Sequence, residues 1–188
     1  LMPPLERILA SGGTLSRTPR PGYAVLALLD AVQPTGVATI VLDPYNLTAT
    51  VGAAMSTLPT ASVHVLESGS FVSLGTVVCP VGRAKAGKPI LHLRLERDNG
   101  EVTEGTIRFG QLVVIPMGPA VNGRLLLRPE RSIDIGFGGP GKAGTVRVFG
   151  SSLGLVVDAR GRPLLLPRDP ERRRDLNHKW LWDIGAMD

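Results

Sequence analysis

Three short segments carry residue types that could bind phosphate or perform hydrolysis. Residues 136–142 read G-F-G-G-P-G-K, which fits the G-x-G-x-x-G and G-x-x-x-x-G-K spacings of phosphate loops, although Ala143 stands where a magnesium-binding Ser or Thr is expected. Residues 150–154 read G-S-S-L-G, the G-x-S-x-G spacing of a serine nucleophile. The third segment is Ser11-Gly12-Gly13, a glycine pair that follows an apolar run. The structure flanking each motif decides whether its chemistry is available.

The flanking residues argue against the first two motifs. Both phosphate patterns need a helix directly after the loop, because its free N–H groups and dipole hold the anion. Residues 144–149 instead predict a strand, so we interpret 136–142 as a connection between strands, with Lys142 left as a candidate anion contact. The serine motif also needs a following helix, whereas residues 153–157 predict a strand even though His178 follows in hydrolase order.

The glycine pair has the flanking structure that ligand binding needs. An apolar strand at residues 7–10 runs into Gly12 and Gly13, and a loop and a helix follow. Glycine lets a backbone approach a ligand closely, so Gly12 and Gly13 are the candidate binding residues. An ordinary tight turn explains the pair equally well.

Catalytic residues and a metal site are not predicted. His64, His92 and His178 lie far apart in the sequence and lack the spacing of metal ligands. The acidic residues around 98–104 are interpreted as surface charge beside a turn. Cys79 is the only cysteine, which rules out an internal disulfide.

Residues 1–58 predict a piece of parallel α/β sheet. A helix begins at Pro21 and ends before Gly36, a strand covers 37–42, and Asn46 is the predicted N-cap of a helix from 47 to about 56. Two parallel strands cannot cover both of their own faces. We therefore expect strand 37–42 to pack against further structure and the chain to be the carboxyl-terminal part of a longer protein.

Residues 59–168 predict a β-rich domain, either a mainly antiparallel barrel or a sandwich. Asp98-Asn99-Gly100 indicates a hairpin between two of its strands. Nine short strands are expected, at residues 61–66, 71–78, 90–96, 102–109, 112–115, 124–128, 132–135, 145–149 and 153–157.

Residues 169–188 predict a helix that packs on the barrel, so the whole chain is assigned to the α+β class. Asp169 is the expected N-cap and Pro170 the first helical residue. An apolar stripe includes Leu176, Trp180 and Ile184, whereas Trp182 faces elsewhere.

Positive charge is concentrated in the middle of the chain. Residues 61–168 hold fourteen basic and eight acidic side chains, a net charge of +6, whereas residues 1–60 balance at three of each sign. An acidic partner would meet the chain there, with Arg83, Lys85 and Lys88 as a candidate docking loop. A basic surface that only keeps the protein soluble explains the charge at least as well. The sequence lacks the stacking-aromatic pattern of RNA-binding domains, so nucleic acid is not an expected partner. No apolar run approaches the ~18 residues of a membrane span, so a membrane is not an expected partner either. The expected location is the cytoplasm.

Two segments resemble the last part of an actin/Hsp70-like ATPase domain: "ASGGTLSRTP", with its strand and glycine pair, and "LDPYNLTATVGAA", with its closing strand and small-residue helix. Together with "GLVVDARGRPLLLP" and "RRRDLNHKWLWDIGA", they also resemble the carboxyl-terminal part of the glutamate mutase (methylaspartate mutase) accessory protein family, MutL/GlmL type. The last two segments lie within the final 35 residues and are the most distinctive.

The resemblance implies an accessory or reactivating, chaperone-like role beside a coenzyme-B12-dependent mutase. Of the ATPase-fold motifs, only Gly12 and Gly13 match nucleotide-contacting positions, and the phosphate loops and catalytic carboxylate are missing from this sequence. The chain is therefore expected to be non-catalytic and to hold no cofactor, with ATP a ligand of the full-length protein. Its expected partner is the mutase or the amino-terminal part of the same protein. The alternative is a free-standing basic β-barrel module that binds nucleic acid or an anionic ligand.

Overall fold

The structure is a computed structural model that describes residues 6–187. It begins with strand β1 (Arg7–Ser11), the short helix α1 (Gly13–Ser16), helix α2 (Pro21–Val32) and strand β2 (Gly36–Asp43), which runs parallel to β1. Pro21 begins α2, where its missing N–H leaves no helical hydrogen bond unmade. The predicted strands at 7–10 and 37–42 and the helix between them are confirmed.

The remaining strands complete two sheets. In chain order the other elements are helices α3 (Leu47–Ala54) and α4 (Pro59–Glu67), strands β3 (Val72–Cys79), β4 (Pro89–Arg97), β5 (Val102–Arg108), β6 (Leu112–Ile115), β7 (Asn122–Pro129), β8 (Gly144–Phe149) and β9 (Leu155–Asp158), and helix α5 (Pro170–Asp183). A mixed five-stranded sheet has the order β1-β2-β3-β9-β6, and an antiparallel four-stranded sheet has the order β5-β4-β7-β8. The hairpin predicted at Asp98-Asn99-Gly100 joins β4 to β5.

The five-stranded sheet is the middle of three layers. One face packs against α2 and α5 in a core that includes Leu29, Ile40 and Trp180. The other face packs against the four-stranded sheet, with Val157 and Leu127 in that second core. Burial on both faces explains why β9 and the end of β3 carry consecutive apolar residues. Strand β2 lies between β1 and β3, so the strand that needed cover has a neighbour on each side.

The α+β class is confirmed, but the barrel expectation is wrong. Residues 6–187 form no closed barrel, because each sheet is open and ends in two edge strands. Segment 61–66 belongs to α4, which begins with Pro59 in its first turn. Segment 132–135 forms no strand. Its one β-bridge is an isolated antiparallel pairing of Asp134 with Val81. Both segments are short apolar runs, whose periodicity does not distinguish strand from helix or turn.

The carboxyl-terminal helix is confirmed. The Asp169 carboxylate accepts hydrogen bonds from the N–H groups of Glu171 and Arg172, which makes Asp169 the N-cap of α5. Trp180 is 5% exposed and Trp182 is 64% exposed, as the stripe predicts. The helix packs against α2 and β6. The five-stranded sheet takes strands from both sides of residue 58, and the division into domains at that residue stays a prediction.

Candidate functional site

Gly12 and Gly13 lie at the carboxyl end of β1, beside the carboxyl end of the parallel strand β2. Gly12 has a φ of 109°, which side-chain-bearing residues rarely adopt. A β-carbon placed on either glycine would have no neighbouring atom within 4 Å, so this backbone is open on the side where a side chain would stand. In α/β proteins ligands bind at this edge of the sheet. Nucleotide binding by the two glycines stays a prediction.

Asn46 fixes the backbone at this edge. Its Oδ1 atom accepts hydrogen bonds from the Gly12 N–H at 2.8 Å and from the Ser11 hydroxyl at 3.0 Å. Asn46 precedes α3 in the left-handed conformation, with φ at 56°, and its side chain makes no hydrogen bond to that helix. Asn46 is the N-cap residue of α3, as predicted, but its side-chain oxygen is used by the glycine turn and makes no capping hydrogen bond.

Asp43, the last residue of β2, caps α3. Its buried carboxylate accepts hydrogen bonds from the N–H groups of Leu47 at 2.9 Å and Thr48 at 2.8 Å, and from the Thr48 hydroxyl. Burial raises the pKa of Asp43, but the hydrogen bonds from Thr48, Leu47 and Ser11 outweigh it and lower the pKa to about 2. At neutral pH the carboxylate is charged and committed to the helix, so it is not a free general base.

The glycine-rich loop 136–142 is a strand connection, as the sequence predicts. Strand β8 begins at Gly144, so the loop leads into a strand rather than into a helix N-terminus. Three of its N–H groups are used locally: Gly136 donates to the Asp134 carboxylate and Gly141 to the Ile133 carbonyl, each at 2.8 Å, and Lys142 donates to the Gly139 carbonyl at 3.3 Å. The arrangement that both phosphate patterns require is not built here.

Ser152, the serine of the G-x-S-x-G spacing, does not have the setting of a nucleophile. It is exposed in the connection that precedes β9, and its backbone N–H donates to the Ser73 carbonyl at 3.1 Å. A nucleophile elbow would place the serine between a strand and a helix, whereas a strand follows here. His178, the base suggested by chain order, lies on the exposed side of α5.

The histidines are distributed over three elements: His64 on α4, His92 on β4 and His178 on α5. The strand expected at residues 61–66 included His64, so the predicted strand position of His64 is wrong. Within residues 6–187 no group of three His, Cys, Asp or Glu side chains is close enough to hold a metal ion. The predicted docking loop with Arg83, Lys85 and Lys88 is exposed between β3 and β4, and its role stays a prediction.

A buried ion network that the sequence did not predict lies at the end of β9. The fully buried Asp158 carboxylate accepts hydrogen bonds from Arg160 at 2.8 Å and from Arg162 at 2.7 Å. Arg160 also pairs with Asp30 of α2 at 2.7 Å, and its guanidinium lies 4.6 Å from the ring centre of Trp180 on α5. The network joins both covering helices to the middle sheet.

The pKa values of Asp158 and of the neighbouring Cys79 thiol are set by burial and by the charges of this network. Burial raises the pKa of Asp158, but hydrogen bonds and charges from Arg160 and Arg162 outweigh it and hold that pKa below its ordinary value. Burial, and then the charge of Asp158, raises the pKa of the Cys79 thiol to about 12, so that thiol is not a nucleophile at neutral pH. The sequence signal was the run D-A-R-G-R directly after an apolar strand.

Comparison with protein-family models, curated proteins and solved structures gives no match for this chain. None of the helices among residues 6–187 combines the length and the apolar character that crossing a bilayer requires. The geometry of the candidate site and the sequence resemblance are therefore the grounds for any function of this chain.

Proposed function

We propose that this chain is the non-catalytic carboxyl-terminal region of an accessory or reactivating, chaperone-like protein for a coenzyme-B12-dependent mutase. The observation that carries the proposal is the placement of Gly12 and Gly13 at the carboxyl end of β1, with an open backbone and β2 parallel beside them. This is the position expected for the adenosine-facing glycine pair of an actin/Hsp70-like ATPase domain, which the two amino-terminal segments resemble.

The present role of each candidate side chain supports the non-catalytic part of the proposal. The Asp43 carboxylate caps α3, Ser152 precedes a strand instead of a helix, and the Cys79 thiol has a raised pKa. Loop 136–142 leads into a strand. Under this proposal ATP is a ligand of the full-length protein, and this chain contributes only the glycine pair to its site.

The carboxyl-terminal segments give separate support. The segments that carry the family resemblance, "GLVVDARGRPLLLP" and "RRRDLNHKWLWDIGA", contain Asp158, Arg160, Arg162 and Trp180. The Asp158 carboxylate holds Arg160 and Arg162, and the Arg160 guanidinium lies against the Trp180 ring of α5. The most distinctive part of the resemblance therefore coincides with residues that this fold needs.

The partner half of the proposal is tested by binding of the chain to purified glutamate mutase holoenzyme. With the chain immobilised, interferometry should give saturable binding that exceeds binding to serum albumin, an acidic control protein. Binding of the mutase no stronger than that of albumin would refute the accessory role.

The nucleotide half is tested by titration calorimetry with Mg-ATP. The chain alone should bind ATP weakly, with a dissociation constant of about 1 mM or higher, because the groups that hold the triphosphate and magnesium are missing. A micromolar dissociation constant would show that the missing loops were wrongly assigned.

One observation favours the alternative, a free-standing module for nucleic acid or an anionic ligand. The exposed side chains of Arg124 and Arg128 on the four-stranded sheet have no ion-pair partner among residues 6–187. The coding sequence upstream of Leu1 distinguishes the two functions. Phosphate loops of the D-x-G-[ST] type encoded there support the accessory ATPase, and their absence supports the module.

A further inference from the structure

The outer face of the four-stranded sheet is covered by no other element among residues 6–187. Side chains alternate between the two faces of a strand, so those between the buried ones point outward. We define the outer sheet face by these outward side chains: His92, Arg94, Glu96, Val102, Glu104, Thr106, Arg124, Leu126, Arg128, Thr145, Arg147 and Phe149.

A depression of about 540 Å³ lies in the middle of this face, and we call it the sheet basin. Gly105 and Leu126 contribute to its lining, together with Arg94, Glu104 and Arg128. The basin thus combines a partly apolar lining with charged side chains.

The cations on this face fall into two groups. Arg94 is neutralised by Glu96 at 2.7 Å and Glu104 at 2.6 Å, and Arg147 pairs with Asp98 at 3.0 Å. In the part of the chain that the structure describes, the side chains of Arg124 and Arg128 have no hydrogen-bond or ion-pair partner. These two arginines flank Leu126 on the same face of β7.

We propose that the sheet basin, with Arg124 and Arg128, is a docking site for an acidic segment of a partner protein. Arginine donates two parallel hydrogen bonds to a carboxylate, so each free guanidinium fits one Asp or Glu of the segment. An apolar side chain between those acids packs on Leu126 in the space above Gly105. The net charge of +6 on residues 61–168 attracts such a segment from a distance.

A protein occupant fits this face better than a nucleic acid. Glu96 and Glu104 point outward beside the arginines and would repel a continuous phosphate backbone. Single-stranded nucleic acids are bound by several stacking aromatics. Among the outward side chains defined above, Phe149, 58% exposed on edge strand β8, is the one Phe, Tyr or Trp.

The site does not depend on the identity of the partner, so it stands or falls separately from the accessory role. The test uses a labelled peptide of repeated Glu-Ser-Leu-Ser units, which puts acids and leucines on one face of an extended chain, and a labelled oligothymidylate of equal charge. Each is titrated into the full chain by fluorescence anisotropy. We expect the peptide to bind more tightly than the oligonucleotide. Tighter binding of the oligonucleotide would overturn the proposal in favour of a nucleic-acid site.

Two variants locate the binding. The pair Arg124→Glu and Arg128→Glu should weaken peptide binding about tenfold or more, whereas Arg172→Glu and Arg173→Glu, the same charge change on the exposed side of α5, should weaken it much less. Equal losses from the two pairs would show unspecific attraction and overturn the proposal. Melting by circular dichroism confirms that each variant is folded.

Leu126→Gln tests the apolar lining of the basin without changing charge. Leu126 points outward between Arg124 and Arg128, so the variant should stay folded, as melting by circular dichroism checks. Peptide binding should fall severalfold because the apolar side chain of the peptide loses its contact. A folded Leu126→Gln chain that binds the peptide as tightly as the parent would overturn the proposal.

Discussion

Two pairs of arginines show how differently this chain uses the same side chain. Arg160 and Arg162 follow β9, are each 6% exposed, and meet the buried carboxylate of Asp158. Arg124 and Arg128 lie on β7, face outward, and have no ion-pair partner among the described residues. Water solvates the exposed pair, whereas a buried guanidinium without a partner would be strongly destabilising.

The difference separates stability from recognition. The buried network links the middle sheet to α2 and α5, so its loss should loosen the helix-covered side of the molecule. The outer sheet face has no comparable role in the fold, because its charges stand in solvent. Substitutions in the two regions should therefore change different measured quantities.

The largest effect is expected for Asp158→Asn. Removing this charge leaves two buried guanidinium groups without a carboxylate, and breaking a buried ion pair costs about 3–5 kcal/mol. Urea unfolding at pH 7 measures the loss. Asp98→Asn, which removes the exposed partner of Arg147, is the matched control and should cost less than about 1 kcal/mol. Similar losses for the two variants would mean that burial does not separate the regions.

Trp180→Ala should come next, with a loss of about 3–5 kcal/mol in the free energy of unfolding. The ring is 5% exposed and covers the guanidinium of Arg160. Trp182→Ala removes the same side chain from the exposed side of the same helix and should cost about 0.5 kcal/mol or less. A Trp180→Ala chain that unfolds at the parent urea concentration would show that α5 is a tethered appendage.

A smaller loss, about 1 kcal/mol at pH 7, is expected for Asp43→Ala, because it removes the cap of α3. The folded pKa of about 2 lies below the ordinary value, so the charged carboxylate stabilises the fold above about pH 4. That contribution is lost as pH falls toward 2. The stability difference between parent and variant should therefore narrow in acid, and a difference that widens there would contradict the cap assignment.

The smallest effect on stability is expected for Arg124→Gln combined with Arg128→Gln. Both side chains are exposed and unpaired within residues 6–187, so each change should shift the free energy of unfolding by no more than about 0.5 kcal/mol. Thermal and urea unfolding measure it. A loss of several kcal/mol would show that the outer sheet face holds the fold together.

Much of the secondary structure was predictable from local signals. Pro21 and Asp169 mark helix starts that the structure confirms, and Asp98-Asn99-Gly100 marks a hairpin. These signals act over a few residues, through fixed proline φ, capping oxygens and turn preferences. The layer arrangement was not predictable in this way, because β9 joins β3 and β6 through pairings between distant segments.

The candidate site was predicted only in part. The position of Gly12 and Gly13 after an apolar strand was correct, but the local pattern assigned the cap of α3 to the Asn46 side chain instead of to Asp43. The buried network was not predicted, because Arg160 and Arg162 lie in a segment whose sequence is typical of a surface loop. Their partners Asp30 and Trp180 are distant in sequence, so only the folded chain shows that these charges are buried.

Arginine labelling with phenylglyoxal, read by peptide mass spectrometry with and without glutamate mutase holoenzyme, tests the central claim most directly. In the free chain, Arg124 and Arg128 should react quickly and Arg160 and Arg162 slowly, because only the first pair is exposed. The mutase should protect the first pair and leave the exposed residues 172–174 reacting as before. Protection of 172–174 with Arg124 and Arg128 unchanged, or equal reactivity of the two pairs in the free chain, would contradict the account.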